Sequence, residues 1–162
     1  MKKKFFIGLF VFAAIGLFVF ANIVLNKNVP KYEPQQNIKA PIEIPSNIIV
    51  QDFSTLSTTK KPSVIMFYVD WCTYCRKFMP VFGEISSQYK DKYNFIAINC
   101  DKPENLKYVE EYHIMAFPSL YMYDKEVNHK FSFNMAVTVS DKFFKEELDN
   151  YLKVRQKFNL NR

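Results

Sequence analysis

Cys72 and Cys75 stand with two residues between them in the run Trp71-Cys72-Thr73-Tyr74-Cys75. Two thiols at that spacing either join further ligands on a metal or exchange electrons with a disulfide. Structural zinc needs four ligands. The rest of the chain offers only His113, His129 and Cys100, with no second closely spaced pair. The sequence therefore assigns no metal. Three cysteines are also too few for a disulfide scaffold.

Dithiol chemistry runs through a thiolate, so the site must favour the charged form of one sulfur. The flanking residues supply the means. Residues 64–69 (Val-Ile-Met-Phe-Tyr-Val) are a continuous apolar run, the pattern of a strand buried on both faces. A helical stretch follows from about residue 72 to 89, with Pro80 interrupting it. A cysteine that opens a helix meets unpaired N–H groups and the positive end of the helix dipole, and both stabilise a thiolate. Cys72 is the expected nucleophile. Cys75, one turn on and facing the same way, is the expected resolving thiol. Trp71 is expected to cover the pair, Arg76 to place a cation beside it, and Tyr74 to reach the surface. The alternative, an inert reduced pair, lacks any use for this strand-helix setting.

The remaining elements follow from pattern. Residues 48–50 form a short strand, 53–60 a short helix or turn, and 95–98 a second buried strand. Residues 103–112 form a helix opened by Pro103, where a missing N–H costs nothing. Two strands at 119–123 and 127–133 are joined by the polar turn Asp124-Lys125-Glu126. Ser140 caps a last amphipathic helix at 141–156, with Phe144, Leu148, Tyr151 and Leu152 on one face. The order β α β α β α β β α predicts an α/β fold with a central mixed sheet and helices on both faces.

With its elements in place, the chain resembles the thioredoxin family over about residues 47–156. The resemblance is carried by the buried strand, Trp71-Cys72-x-x-Cys75, and Pro80 five residues after the second cysteine. Asn99-x-Asp101 and Ala116-Phe117-Pro118-Ser119 complete it. It implies the thioredoxin fold, a redox-active Cys72–Cys75 disulfide, a cis Pro118 against that disulfide, and Phe117 lining the substrate groove with Trp71 and Tyr74. It also exposes departures. Met66 stands where the family has a buried aspartate, and Ala97 where its lysine partner sits. Water or an exposed group such as Asp70 or Glu84 is then left to move the resolving thiol's proton. The dipeptide Thr73-Tyr74 lacks the histidine of strongly oxidising relatives, and the glycine after the last strand is missing. The 42 residues between Cys75 and Pro118 leave no room for a large helical insertion. Cys100 reads as a small core residue. His113 and His129 read as surface or turn residues.

The N-terminus sets the expected compartment. Lys2, Lys3 and Lys4 precede seventeen uncharged residues from Phe5 to Ala21, and the apolar run continues to Leu25. Positive charge before an apolar run is an export signal. Its 21 residues also match roughly 30 Å of hydrocarbon. Val19-Phe20-Ala21 suits a signal peptidase, so an uncleaved anchor and a cleaved signal both fit. The three lysines hold the N-terminus in the cytoplasm. The domain is then expected on the periplasmic side, membrane-tethered or released to the periplasm. Residues 1–25 are the anchor or signal, 26–46 a proline-containing linker, 47–156 the domain and 157–162 a tail.

Composition narrows the function. The net charge of +6 falls to 19 basic against 16 acidic side chains once the three leading lysines are set aside. That is no nucleic-acid footprint. Three glycines, two of them in the apolar run, exclude a glycine-rich phosphate loop. The expectation is a thiol-disulfide oxidoreductase that reduces or exchanges disulfides of exported proteins, with a redox partner protein and no dissociable cofactor. A net oxidase of the same fold and a non-catalytic binding module are the rivals.

Overall fold

The structure is a computed structural model describing residues 40–157, apart from 51, 52, 54, 55 and 57. The anchor or signal expected at 1–25, the linker up to residue 39, part of the element expected at 53–60, and the tail from 158 lie outside the described residues. Among the described residues, no helix is long and apolar enough to cross a membrane.

Five strands form one sheet: β1 (Ile49–Val50), β2 (Ser63–Tyr68), β3 (Asn94–Asn99), β4 (Ser119–Asp124) and β5 (His129–Ser132). Their order is β1-β3-β2-β4-β5. β1 and β2 flank β3 in parallel, and β4 runs antiparallel to both β2 and β5. All six residues of β2 are buried, as its unbroken apolar run demands. β4 instead alternates between half-buried and buried positions.

Helices α1 (Thr73–Tyr89), α2 (Leu106–Glu111) and α3 (Asp141–Lys157) cover the sheet. Phe82 of α1 packs on Phe95 and on Phe144 of α3, so both helices share one face. Tyr112, just past α2, packs against Phe67 and Tyr121 on the other face. This is the predicted mixed sheet with helices on both sides.

Local differences have local causes. Pro80 does not break α1. Phe78 and Met79 before it, and Phe82 and Ile85 after it, bury in one core, which outweighs a missing amide donor. The helix expected at 103–112 begins instead as a 3-10 turn, Pro103–Asn105, where buried Asn105 donates to the Asn99 carbonyl at 2.8 Å. The hairpin connection lies one residue later and is one residue longer than expected, running from Lys125 to Asn128. Asp124 Oδ1 accepts the Glu126 N–H at 3.1 Å and Asn128 turns left-handed at φ 44°, so β5 starts only at His129. Ser140 caps α3, accepting the Phe143 N–H at 3.2 Å.

One difference concerns the linker. Residues 41–45 have no regular structure, yet Ile42 and Ile48 are buried in the core. Pro45 sits so close to Gly83 of α1 that a Cβ there would lie 2.5 Å from the proline ring. The packed body therefore includes chain that its prolines mark as linker.

Candidate active site

Cys72 ends the connection from β2 and is the N-cap of α1, with φ −79° and ψ 110°. Its sulfur accepts the Cys75 N–H at 3.1 Å. The two cysteines are joined as a disulfide, their Cα atoms 5.2 Å apart. Cys75 is fully buried, whereas Cys72 retains 6% exposure. The more exposed cysteine is thus the one at the helix start, where N–H groups and the dipole favour negative charge.

The Phe117–Pro118 bond is cis, as the resemblance implied. The Phe117 carbonyl oxygen lies 3.5 Å from Cys72 Sγ. Trp71 is more than half exposed and meets Phe117 edge to face at 6.4 Å. Its indole N–H donates to Asp101 Oδ1 at 3.0 Å. The second oxygen of Asp101 accepts the Asp70 N–H at 2.6 Å. The Asn99-x-Asp101 motif at the end of β3 therefore holds the loop that presents Cys72.

Beside the disulfide lies an apolar groove of about 450 Å³. Tyr74, Phe117 and Pro118 line it together with Met135, Ala136, Thr138 and Val139. Three of the four expected groove residues are thus brought together. Trp71 is not a wall of this cavity but touches it through Phe117. Tyr74 is 72% exposed, as its position between the cysteines requires. The second group of walls belongs to the 3-10 turn Met135–Thr138 and the residue after it. Sequence reasoning missed it. No local motif marks these residues in the sequence.

Met66 and Ala97 are register partners on β2 and β3, and both are fully buried. They lie on the α1 face of the sheet, because Val64 and Phe95 pair in the same register and Phe95 packs on α1. The core beneath the cysteine helix is apolar where the family places a charged pair. Asp70 is no free base. Its carboxylate accepts from the Ile42 N–H and from Asn99 Nδ2, each at 2.8 Å. Glu84 is exposed and accepts from Gln88 Nε2 at 3.1 Å.

Arg76 turns to backbone carbonyls. Its guanidinium donates to the Asp70 oxygen at 2.6 Å and to the Ala40 oxygen. Cys100 is buried, and burial followed by the Asp101 charge pushes its thiol up to about 11. His113 and His129 are exposed, His113 at a left-handed turn with φ 50°. Among the described residues no His, Cys, Asp and Glu side chains cluster as metal ligands.

Comparison with known proteins places this arrangement. The family model for thioredoxin matches residues 47–151. The chain is 37% identical over 70 residues to the thioredoxin-like protein HCF164, chloroplastic, of Arabidopsis thaliana, covering 43% of this chain and 27% of that protein. It is 27% identical over 109 residues to a protein disulfide-isomerase of Drosophila melanogaster, covering 67% of this chain and 21% of that protein. The chain thus spans about a quarter of these relatives' length. The crystal structure of a Malassezia sympodialis thioredoxin superposes with a TM-score of 0.53 at 22% identity, covering 64% of this chain and 89% of that one. Fold, motif and family model agree, and the chain belongs to the thioredoxin family.

Proposed function

We propose that the chain is a thiol-disulfide oxidoreductase acting on disulfides of exported proteins. The observation that carries this is Cys72, placed at the start of α1, bonded to Cys75, with its sulfur beside the cis-proline loop. In the reduced form the Cys72 thiolate attacks one sulfur of a substrate disulfide. A mixed disulfide forms and the other substrate sulfur leaves as a thiolate. Cys75 loses its proton and attacks Cys72 Sγ. The second substrate sulfur is released, and the Cys72–Cys75 disulfide of the structure results. Two electrons from a redox partner protein restore the dithiol, and no dissociable cofactor takes part. Trp71, Tyr74, Phe117 and Pro118 form the surface on which the substrate chain rests.

The leading direction is reduction or exchange. Thr73-Tyr74 between the cysteines supports it, because that pair offers no histidine to stabilise the thiolate further. The apolar run at 5–25 behind three lysines supports a membrane tether with the domain on the periplasmic side, or release to the periplasm after cleavage.

Insulin-disulfide reduction tests the activity. Wild type is expected to turn over and Cys72→Ser to fall to the background of the reductant alone. A Cys72→Ser variant as fast as wild type would sink the proposal. Glutathione titration tests the direction: a potential near about −270 mV marks a reductase and one near about −120 mV an oxidase. Cys75→Ala, which blocks resolution, is expected to trap mixed disulfides with clients in cells. Clients held without any mixed disulfide would make the domain a binding module.

A further inference from the structure

Every polar group of Asp70 is engaged. Its N–H donates to Asp101, its carbonyl accepts from Arg76, and its two carboxylate oxygens accept from the Ile42 N–H and from Asn99. Two of these four contacts lead to the start of the described chain. Ile42 is one directly. Arg76 is the other, since the same nitrogen that holds Asp70 also holds the Ala40 carbonyl. The chain from there is fastened along α1. Pro45 abuts Gly83, and Asn47 Nδ2 donates to the Gly83 carbonyl at 2.8 Å and to Ser87 Oγ at 2.9 Å. One segment is therefore tied both to the helix that carries the cysteines and to the loop that presents Cys72.

We propose that residues 40–48 form a strap that positions the reactive dithiol, with Asp70 as the positioning residue through which it acts. The inference rests on the exchange chemistry above. Cys72 must keep a non-helical backbone for its sulfur to accept the Cys75 N–H. Two residues upstream, the Asp70 peptide groups are pinned on both sides. The strap supplies one of the residue's four anchors directly, through the Ile42 N–H, and shares a second through Arg76. A thiolate gains more from that N–H than a disulfide sulfur does. Correct placement therefore stabilises the reduced form. Loosening the strap lets the Asp70–Cys72 loop leave its cap geometry, and the dithiol becomes more reducing.

The full-length chain tests this with two substitutions at one site. Ile42→Pro removes the N–H that Asp70 accepts. Ile42→Ala keeps it while losing most of the buried side chain. Trp71 is the chain's one tryptophan, so its fluorescence anisotropy reports the loop without labelling. Ile42→Pro is expected to shift the exchange equilibrium with glutathione about tenfold, or about 30 mV more negative, and to lower Trp71 anisotropy. Ile42→Ala is expected to keep both at wild-type values even where its melting temperature falls. Asp70→Ala should reproduce the proline phenotype, and it carries the comparison should Ile42→Pro fail to fold. Equal shifts from Ile42→Pro and Ile42→Ala, or an Asp70→Ala potential equal to wild type, would overturn the proposal. Insulin reduction by the wild type, measured alongside, fails or holds separately and so tests the exchange reading on its own.

Discussion

Two cysteines three positions apart have different surroundings, and the difference fits the roles proposed for them. Cys72 caps the helix and is partly reachable, while Cys75 is fully buried. Met66 and Ala97, on the sheet face that α1 covers, stand where the family has a carboxylate and an amine. A carboxylate placed there meets an apolar core and costs several kcal/mol unless it stays protonated. Met66→Asp is expected to melt well below wild type at pH 7 and to recover part of the loss at pH 5, where the acid form is favoured. Thermal scans at the two pH values check this. The third cysteine differs from both. Cys100 is buried with a thiol pushed up to about 11, so little thiolate exists at neutral pH. Cys100→Ala is expected to leave insulin reduction unchanged. Native protein treated with iodoacetamide after reduction should carry the label on Cys72 and not on Cys100, as read by peptide mass.

At the scale of elements, α3 is held to the sheet by a buried ion pair. Arg155 Nε donates to Asp124 Oδ2 at 2.7 Å, and Tyr151 OH donates to the same oxygen at 2.7 Å. Arg155 also holds the Lys60 carbonyl at 2.8 Å. Burial pushes the Asp124 carboxyl up, but the Arg155 and Tyr151 hydrogen bonds and the guanidinium charge outweigh it and hold it below the usual carboxylate range. A depressed native value adds stability that is present above the unfolded value, near about 3.9, and lost as pH falls through the native value. Acid unfolding is therefore expected to steepen below about pH 4. Asp124→Asn leaves a buried guanidinium with a neutral partner and should lose about 3–5 kcal/mol in urea titration at pH 7, flattening that acid limb. The strap makes its own demand on α1. Alanine is better than glycine in a helix by about 1 kcal/mol, yet a Cβ at Gly83 meets the rigid Pro45 ring at 2.5 Å. Gly83→Ala is expected to lower the melting temperature despite its helix propensity.

At the scale of the molecule, the reactive disulfide and the apolar groove share one edge built from three separate parts of the chain. The exposed Tyr74, Met135 and Val139 surround it with apolar surface. On the proposed function, a protein substrate is expected to contact those walls and a small disulfide only Cys72. Val139→Glu is expected to lower kcat/KM for insulin about tenfold, roughly 1.4 kcal/mol of binding. Its rate with a small aromatic disulfide should stay at the wild-type value, as steady-state kinetics with both substrates would show.

Much of this was legible before any coordinates. The unbroken apolar run of β2, the helix behind Cys72 and the alternation of later strands and helices dictated the mixed sheet, because burial on two faces and an amphipathic stripe leave periodic marks. The dithiol was legible because its chemistry needs two sulfurs at fixed spacing on one helix. What escaped depends on contacts between distant residues. Ile42, Ile44 and Ile48 alternate with polar residues and hint at a packed segment, but the prolines around them read as linker. Only the tertiary structure showed Ile42 on Asp70 and Met135–Val139 across from the cis proline. Neither contact has a local period, because each is decided where separate elements meet. The sequence by itself determined that Cys72 and Cys75 form a reactive pair at a helix start. The tertiary structure decided which distant residues meet the loop before that pair and which side chains line the groove beside it, because both depend on how separate elements pack.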